Sequence, residues 1–258
     1  MDYMKQFRLD GRTAFITGAG RGIGLCTANA LAQAGADVII SGIDQADLDA
    51  ATEQLTTQGH KVRSFLLDVT NSAATTEIAD KLASEGIEVD ILIANAGIAW
   101  PDTRAEDMDD AAWAKVIDVN LTGAFYSCRA FGRHMLERKR GAIVTVGSMS
   151  GFISNKPQNQ VHYNASKAGL HHMTKSLAGE WADRNVRVNS VAPTYVNTVM
   201  SNVTAKKPEY FGPWMENTPM KRMIEPEEVA TTNLFLASDA SSGLTGSIVM
   251  VDAGYTIW

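Results

Sequence analysis

Short, continuous apolar runs alternate with longer segments of helical period along the chain. TAFIT (13–17), DVIIS (37–41), VRSFLL (62–67), VDILIA (89–94), AIVTVG (142–147), VRVNSVA (186–192) and SIVMV (247–251) predict seven strands. Most are β-branched runs without polar alternation, the pattern of parallel strands covered on both faces. Helical period predicts helices at 22–34, 44–58, 71–85, 109–137, 161–183 and 226–238. Such alternation implies right-handed crossovers and a parallel sheet between two layers of helices. Asn71 and Ser72 suit a helix N-cap, and Gly35 and Gly59 suit helix C-caps. No linker, repeat or low-complexity tract divides the chain, so the expected fold is one α/β doubly wound domain over residues 1–258. Segment 196–224 breaks the alternation; it is rich in Met, Pro and aromatics and is expected to be a substrate lid.

Composition narrows the function classes. The formal charge of −6 argues against a polyanion, so no nucleic-acid partner is expected. The run Arg138-Lys139-Arg140 reads as a solvated helix end. Cys26 and Cys128 form no C-x-x-C, which fits a reducing compartment and excludes a cysteine-built zinc site. MDYMKQFRLDG at the N-terminus lacks the apolar core of a signal peptide, and no apolar run approaches membrane-spanning length. A cytoplasmic protein with no membrane partner is therefore expected. The five histidines have no metal-ligand spacing, so no metal is expected. GSMSG (147–151) has Met149 where a nucleophile elbow needs serine, which argues against a serine hydrolase.

Two local patterns carry chemistry. TGAGRGIG (17–24) follows the first strand and opens a helix. Gly18 can take positive φ, Gly22 lets backbone approach a pyrophosphate, and Gly24 permits close helix–strand packing. The helix N-terminus then offers N–H groups to phosphates, which points to a dinucleotide rather than a plain tight turn. In YNASK (163–167), Tyr163 and Lys167 stand about one helical turn apart on one face. That pair fits a solvated face, or a phenol whose proton is managed by a cation.

Together, TGAGRGIG, NAG (95–97), Asn120 in DVNLTG, Ser148 in GSMSG and YNASK resemble the short-chain dehydrogenase/reductase family in order and spacing, across essentially the whole chain. The details GSMSG, KPQ, ASDASS and VDAGYTIW are similar to the polyol dehydrogenases within it, of galactitol, sorbitol and xylitol type. The resemblance implies a Rossmann-type fold and hydride transfer between NAD(P) and a secondary alcohol or ketone. It implies Tyr163 as acid/base, Lys167 lowering the phenol's pKa and holding the nicotinamide ribose, and Ser148 polarising the substrate oxygen. Asn120 would distort its helix and help hold a water linked to Lys167. Ser150 competes with Ser148, because Ser148 lies 15 residues before Tyr163 where many members have about 13; Ser148 is preferred because it directly follows the strand and Gly147.

For the cofactor, the resemblance implies Gly18, Arg21, Gly22, Ile23 and Gly24 at the phosphates, and Asp68 and Val69 at the adenine. Asn95, Ala96 and Gly97 would lie beside the adenosine ribose, and Pro193, Val196 and Thr198 at the carboxamide. PTYVNT (193–198) departs from the family by having Thr194 where glycine is usual. NAD-specific members end the second strand on an acid; here that position is Gly42, and Asp44 follows two residues late. With Arg21 near a 2′-phosphate, the balance tilts toward NADP(H). For a polyol or ketose, Ser148, Ser150, Asn155, Gln160, Tyr195 and Trp214 are the expected substrate residues. A reductase of 3-oxoacyl thioesters would need a basic mouth, for which only Lys206-Lys207 and Lys221-Arg222 are available. A non-catalytic dinucleotide-binding protein is the alternative of another class, disfavoured because all four catalytic groups are present. Helices 109–137 and 161–183, apolar on more than one face, and the ending AGYTIW suggest a homotetramer.

Overall fold

Seven parallel strands form where the apolar runs predict them: β1 (Thr13–Thr17), β2 (Asp37–Gly42), β3 (Val62–Leu66), β4 (Val89–Ala94), β5 (Gly141–Val146), β6 (Val186–Pro193) and β7 (Ile248–Val251). Their spatial order is β3-β2-β1-β4-β5-β6-β7. This computed structural model describes residues 2–99, 102–198, 200–201 and 208–258. The helices are α1 (Gly22–Gln33), α2 (Gln45–Thr57), α3 (Ser72–Ser84), α4 (Asp110–Ile117), α5 (Gly123–Arg138), α6 (Val161–Trp181), α7 (Pro208–Asn217) and α8 (Pro226–Ala237). Asn71 caps α3 by accepting the Ala74 N–H at 3.0 Å. Gly35 and Gly59 follow α1 and α2 with φ of 107° and 87°.

Alternate residues of each strand feed two cores. Ile16, Ile40, Ile91, Ile93 and Val144 point to one face, with Leu31 of α1, Leu48 and Leu55 of α2 and Val229 of α8. Phe15, Ile39, Leu92 and Ile143 point to the other, with Leu82 of α3, Phe131 of α5 and Leu170 of α6. The rings of Phe15 and Phe131 meet with centroids 4.3 Å apart. Each such fully buried side chain stabilises by about 1.5–3 kcal/mol.

Two elements differ from the sequence pattern. The helix expected over 109–137 is divided: α4 and α5 are joined by a π-turn at Asp118–Thr122, centred on Asn120. Within 196–224 the chain forms α7, which contains Pro213 and so shows no clean helical signal. The stems of this segment meet at a bridge between Val196 and Ile224. Val199 and residues 202–207, including the basic pair Lys206-Lys207, lie outside the described residues.

Strand order reverses between β1 and β4, which are neighbours. Crevices at the carboxyl ends of strands at such a switch point are where open α/β sheets bind ligands.

Candidate active site

The crevice between β1 and β4 is built by the glycine turn and a polar clamp. Gly18 and Gly22 have φ of 62° and 57°, conformations that glycine adopts at low cost. A Cβ on Gly24 would lie 2.4 Å from the Gly18 carbonyl oxygen, so α1 can pack this closely only without a side chain there. Beside Gly22 the nearest atom to such a Cβ is Thr198 Cγ2 at 3.6 Å, leaving this backbone approachable. Thr17, a residue the motif reading passed over, accepts the N–H groups of Asn95 and Ala96 through Oγ1, both at 3.0 Å. Asn95 donates its amide to the carbonyls of Thr17 and Gly18, both at 2.9 Å. The ends of β1 and β4 are thus tied together.

At the start of α2, Arg21 meets the Asp47 carboxylate at 3.1 Å. Asp44 caps α2, accepting the Asp47 N–H at 3.1 Å. Arg21 therefore reaches the first turn of α2, the turn that Asp44 caps. Asp68 accepts the N–H and hydroxyl of Thr70, which hold its carboxyl below the usual range. Val69 is buried, and Ile23 half-buried in the first turn of α1. Thr194 donates its N–H to the Val251 carbonyl at the end of β7, and Thr198 donates its N–H to the Val196 carbonyl within the segment.

The catalytic candidates converge beyond β4 and β5. Asn120 is buried in the π-turn; its amide accepts the Ile98 N–H at 2.8 Å and donates to the Ile98 carbonyl at 2.9 Å and to Ser166 Oγ at 3.2 Å. A Cβ on Gly97 would stand 3.3 Å from Asn120 Oδ1 and 3.6 Å from Lys167 Nζ, so Gly97 bridges the crevice to these groups. Lys167 is buried, donates to the Val146 carbonyl at 2.8 Å, and burial lowers its pKa to about 8. Its ammonium lies 5.6 Å from the centre of the Tyr163 ring.

Ser148 follows β5, and its side chain is near enough to the Tyr163 phenol to favour the ionised form. Ser148 Oγ accepts the Ser150 N–H at 3.1 Å and lies 3.1 Å from Ser150 Oγ. The Pro193 carbonyl is 3.5 Å away. Burial raises the Tyr163 pKa and the Ser148 contact opposes that rise. The Lys167 ammonium is itself desolvated and donates to Val146. Chemically, a phenol, a neighbouring serine hydroxyl and a buried ammonium come together, where an alcohol or carbonyl oxygen could exchange a proton and be polarised.

The expected substrate residues also come together, but their polar atoms largely bond one another. The Tyr195 hydroxyl accepts from Asn155 and Gln158, both at 3.1 Å, and Trp214 donates to Gln158 at 3.0 Å. Tyr195 and Trp214 stack 3.7 Å apart. The Gln160 amide reaches Ser150 Oγ at 3.4 Å, Asn155 at 3.0 Å and Asn164 at 2.9 Å. On α7, the Tyr210 hydroxyl bonds the Asp102 carboxylate, which also accepts the backbone N–H and side-chain amide of Asn159. His171, read from sequence as a core or interface residue, is buried beside Ser148. Its spacing of four from Lys167 and eight from Tyr163 carried that signal. Among the described residues, no three His, Cys, Asp or Glu side chains cluster as a metal site, and no helix is long and apolar enough to cross a membrane.

A family model described as "Enoyl-(Acyl carrier protein) reductase" matches residues 18–256. The galactitol 2-dehydrogenase of Rhizobium johnstonii is 50% identical over 258 residues, covering 100% of both chains. The crystal structure of gox2181 superposes with a TM-score of 0.98 at 49% identity, with 100% of both chains covered. A gluconate 5-dehydrogenase from Burkholderia cenocepacia J2315, in complex with NADP and tartrate, gives a TM-score of 0.94 at 30% identity, again over 100% of both chains.

Proposed function

The chain belongs to the short-chain dehydrogenase/reductase family of NAD(P)-dependent oxidoreductases, and from this we propose that it interconverts a polyol and its ketose at a secondary carbon. The observation that carries the reading is the convergence on Tyr163 of the buried Lys167, whose ammonium lies 5.6 Å from the phenol ring, and of the buried Ser148, whose side chain favours the phenolate. Full-length 50% identity to a galactitol 2-dehydrogenase supports the substrate class.

The crevice fits a nicotinamide dinucleotide: the Gly22 backbone is approachable, and the first turn of α1 presents N–H groups to phosphates. Gly18, Arg21, Gly22, Ile23 and Gly24 would hold the phosphates, Asp68 and Val69 the adenine, and Asn95, Ala96 and Gly97 the ribose. Pro193, Val196 and Thr198 would hold the carboxamide. When bound, the nicotinamide accepts or supplies the hydride. In oxidation Tyr163 takes the hydroxyl proton as phenolate; in reduction it returns that proton to the carbonyl oxygen. Ser148 donates a hydrogen bond to the same oxygen and stabilises its developing charge. Lys167 binds the ribose and favours the phenolate, and Asn120 fixes the backbone at Ile98 beside them.

Ser150, Asn155, Gln160, Tyr195 and Trp214 would form a rigid polar wall that reads hydroxyl placement, with 196–224 as the lid that excludes water. NADP(H) is the favoured nucleotide, because Gly42 leaves no acid at the end of β2 and Arg21 stands nearby. An NADP-bound structural relative supports this. Two free thiols support a reducing, cytoplasmic setting. A homotetramer is supported by exposed Trp113 and Phe125 on α4 and α5, and by exposed Ile257 and Trp258 at the C-terminus.

The test is a panel of C4–C6 polyols and ketoses, acetoacetyl thioesters and steroids, assayed with each nucleotide. Turnover of a polyol/ketose pair is expected, with galactitol the first to try. Turnover confined to thioesters or steroids would overturn the substrate assignment.

A further inference from the structure

His171 lies one turn beyond Lys167 and about two beyond Tyr163 on α6, so the three side chains share a face. It is only 5% exposed. Its Nε2 accepts the backbone N–H of Ser148 at 3.4 Å, the sole acceptor for that N–H among the described residues. The imidazole fills the space that side chains at 147 and 151 would need. A Cβ on Gly147 would come within 2.2 Å of Nε2, and one on Gly151 within 2.6 Å of Cε1 and Nδ1. The Phe152 ring packs over it with centroids 4.7 Å apart.

We propose that His171 is a positioning residue that fixes the main chain of Ser148, and through it the direction of the Ser148 hydroxyl. The inference rests on the reading that Ser148 polarises the substrate oxygen.

Ser148 has left the β5 ladder, so its buried N–H needs an acceptor or carries a desolvation cost. Nε2 can serve only in a neutral imidazole with its proton on Nδ1. That Nδ1 has no hydrogen-bond partner among the described residues. A leucine or methionine would bring no Nδ1 donor to leave unpaired, but it would offer the Ser148 N–H no acceptor. The imidazole is therefore costly as packing alone and is explained by the lone pair it offers Ser148. Gly147 and Gly151 complete the device, since a side chain at either position would displace the ring. Small misplacements matter because the serine hydroxyl must meet an oxygen whose charge develops only in the transition state.

The test compares His171→Leu, which removes the acceptor, with His171→Gln, whose side-chain carbonyl can reach the same N–H. Melting temperature, dinucleotide Kd, kcat and ketose KM are measured for both, alone and combined with Ser148→Ala. The Leu variant should lose about 10- to 100-fold in kcat, the scale of misplaced catalytic groups, with Kd and KM within about twofold. The Gln variant should recover most of that loss. Adding His171→Leu to Ser148→Ala should cost nothing further, because both act through one hydroxyl.

A folded Leu variant with unchanged kcat would overturn the inference, as would equal losses in Leu and Gln or a full additive loss in the double variant. If the Leu variant does not fold, His171→Asn replaces it, since its shorter amide fills the site without reaching Ser148 and should show the same kcat loss. Unchanged kcat in Ser148→Ala alone would instead remove Ser148 from its role. A loss there without one at His171 would remove only His171.

Discussion

Tyr163 is the residue to whose reading the structure adds most. The motif identifies the phenol and the cation, but spacing alone cannot say how each is solvated. Burial raises the Tyr163 phenol and lowers the Lys167 ammonium to about 8, while the Ser148 hydroxyl pulls the phenol back. Because the raised pKa keeps Tyr163 protonated to higher pH, oxidation, which needs the phenolate, should gain kcat/KM as pH rises. Ketone reduction, which needs the phenol, should lose kcat/KM over the same titration. Profiles in both directions, with a deuterated substrate to establish that hydride transfer limits the rate, check this. A flat profile in either direction would contradict it. Ser148 over Ser150 was legible only as a preference for the residue next to the strand; Ser148 is the serine that favours the Tyr163 phenolate, which supports that choice. The bonding of Asn155, Gln158 and Gln160 to one another and to Tyr195 was not legible, because it depends on how a loop folds back on itself.

At the scale of elements, strands and most helix ends were readable because each carries a local signal: continuous apolar runs, an Asn cap, glycines with positive φ. The π-turn at Asp118–Thr122 was not, since the apolar period runs through it; only the family resemblance pointed to a distortion at Asn120. α7 was hidden by Pro213. The pairing of Arg21 with Asp47 was also hidden, because it requires the start of α2 to press on the glycine turn. A Cβ on Gly20 would stand 2.9 Å from the Cβ of Asp47. Gly42 itself has room: a Cβ there meets only Leu48 Cδ2, at 3.5 Å, an ordinary contact. Gly42→Asp should therefore fold and add both an acceptor for a ribose 2′-OH and a charge that repels a 2′-phosphate. Its ratio of kcat/KM for NADP(H) over NAD(H) should fall by about tenfold or more, the effect of roughly 1.4 kcal/mol. An unchanged ratio in a folded variant would mean that the nucleotide's ribose lies elsewhere.

The whole molecule follows from one topological fact: strand order reverses between β1 and β4, and the candidate groups gather at the carboxyl ends of those strands and of β5. Alternation along the chain was enough to foresee a doubly wound sheet. Surfaces are less legible, since an apolar helix face looks the same whether another element or another copy covers it. Trp113, Phe125, Phe152, Val161, Ile257 and Trp258 remain exposed in the single chain. A homotetramer with two-fold interfaces would cover such residues. Light scattering at micromolar concentration should give four times the chain mass of 27.8 kDa; a clean monomer would refute it.

The central claim is that Tyr163 moves the substrate proton in a polyol/ketose exchange. It is tested most directly by the kcat of Tyr163→Phe with the best polyol substrate, measured alongside dinucleotide affinity. The account predicts an intact fold, unchanged nucleotide binding and a fall in kcat of about two orders of magnitude or more, the scale of general acid–base help. A Phe variant retaining more than about a tenth of parental kcat would contradict it.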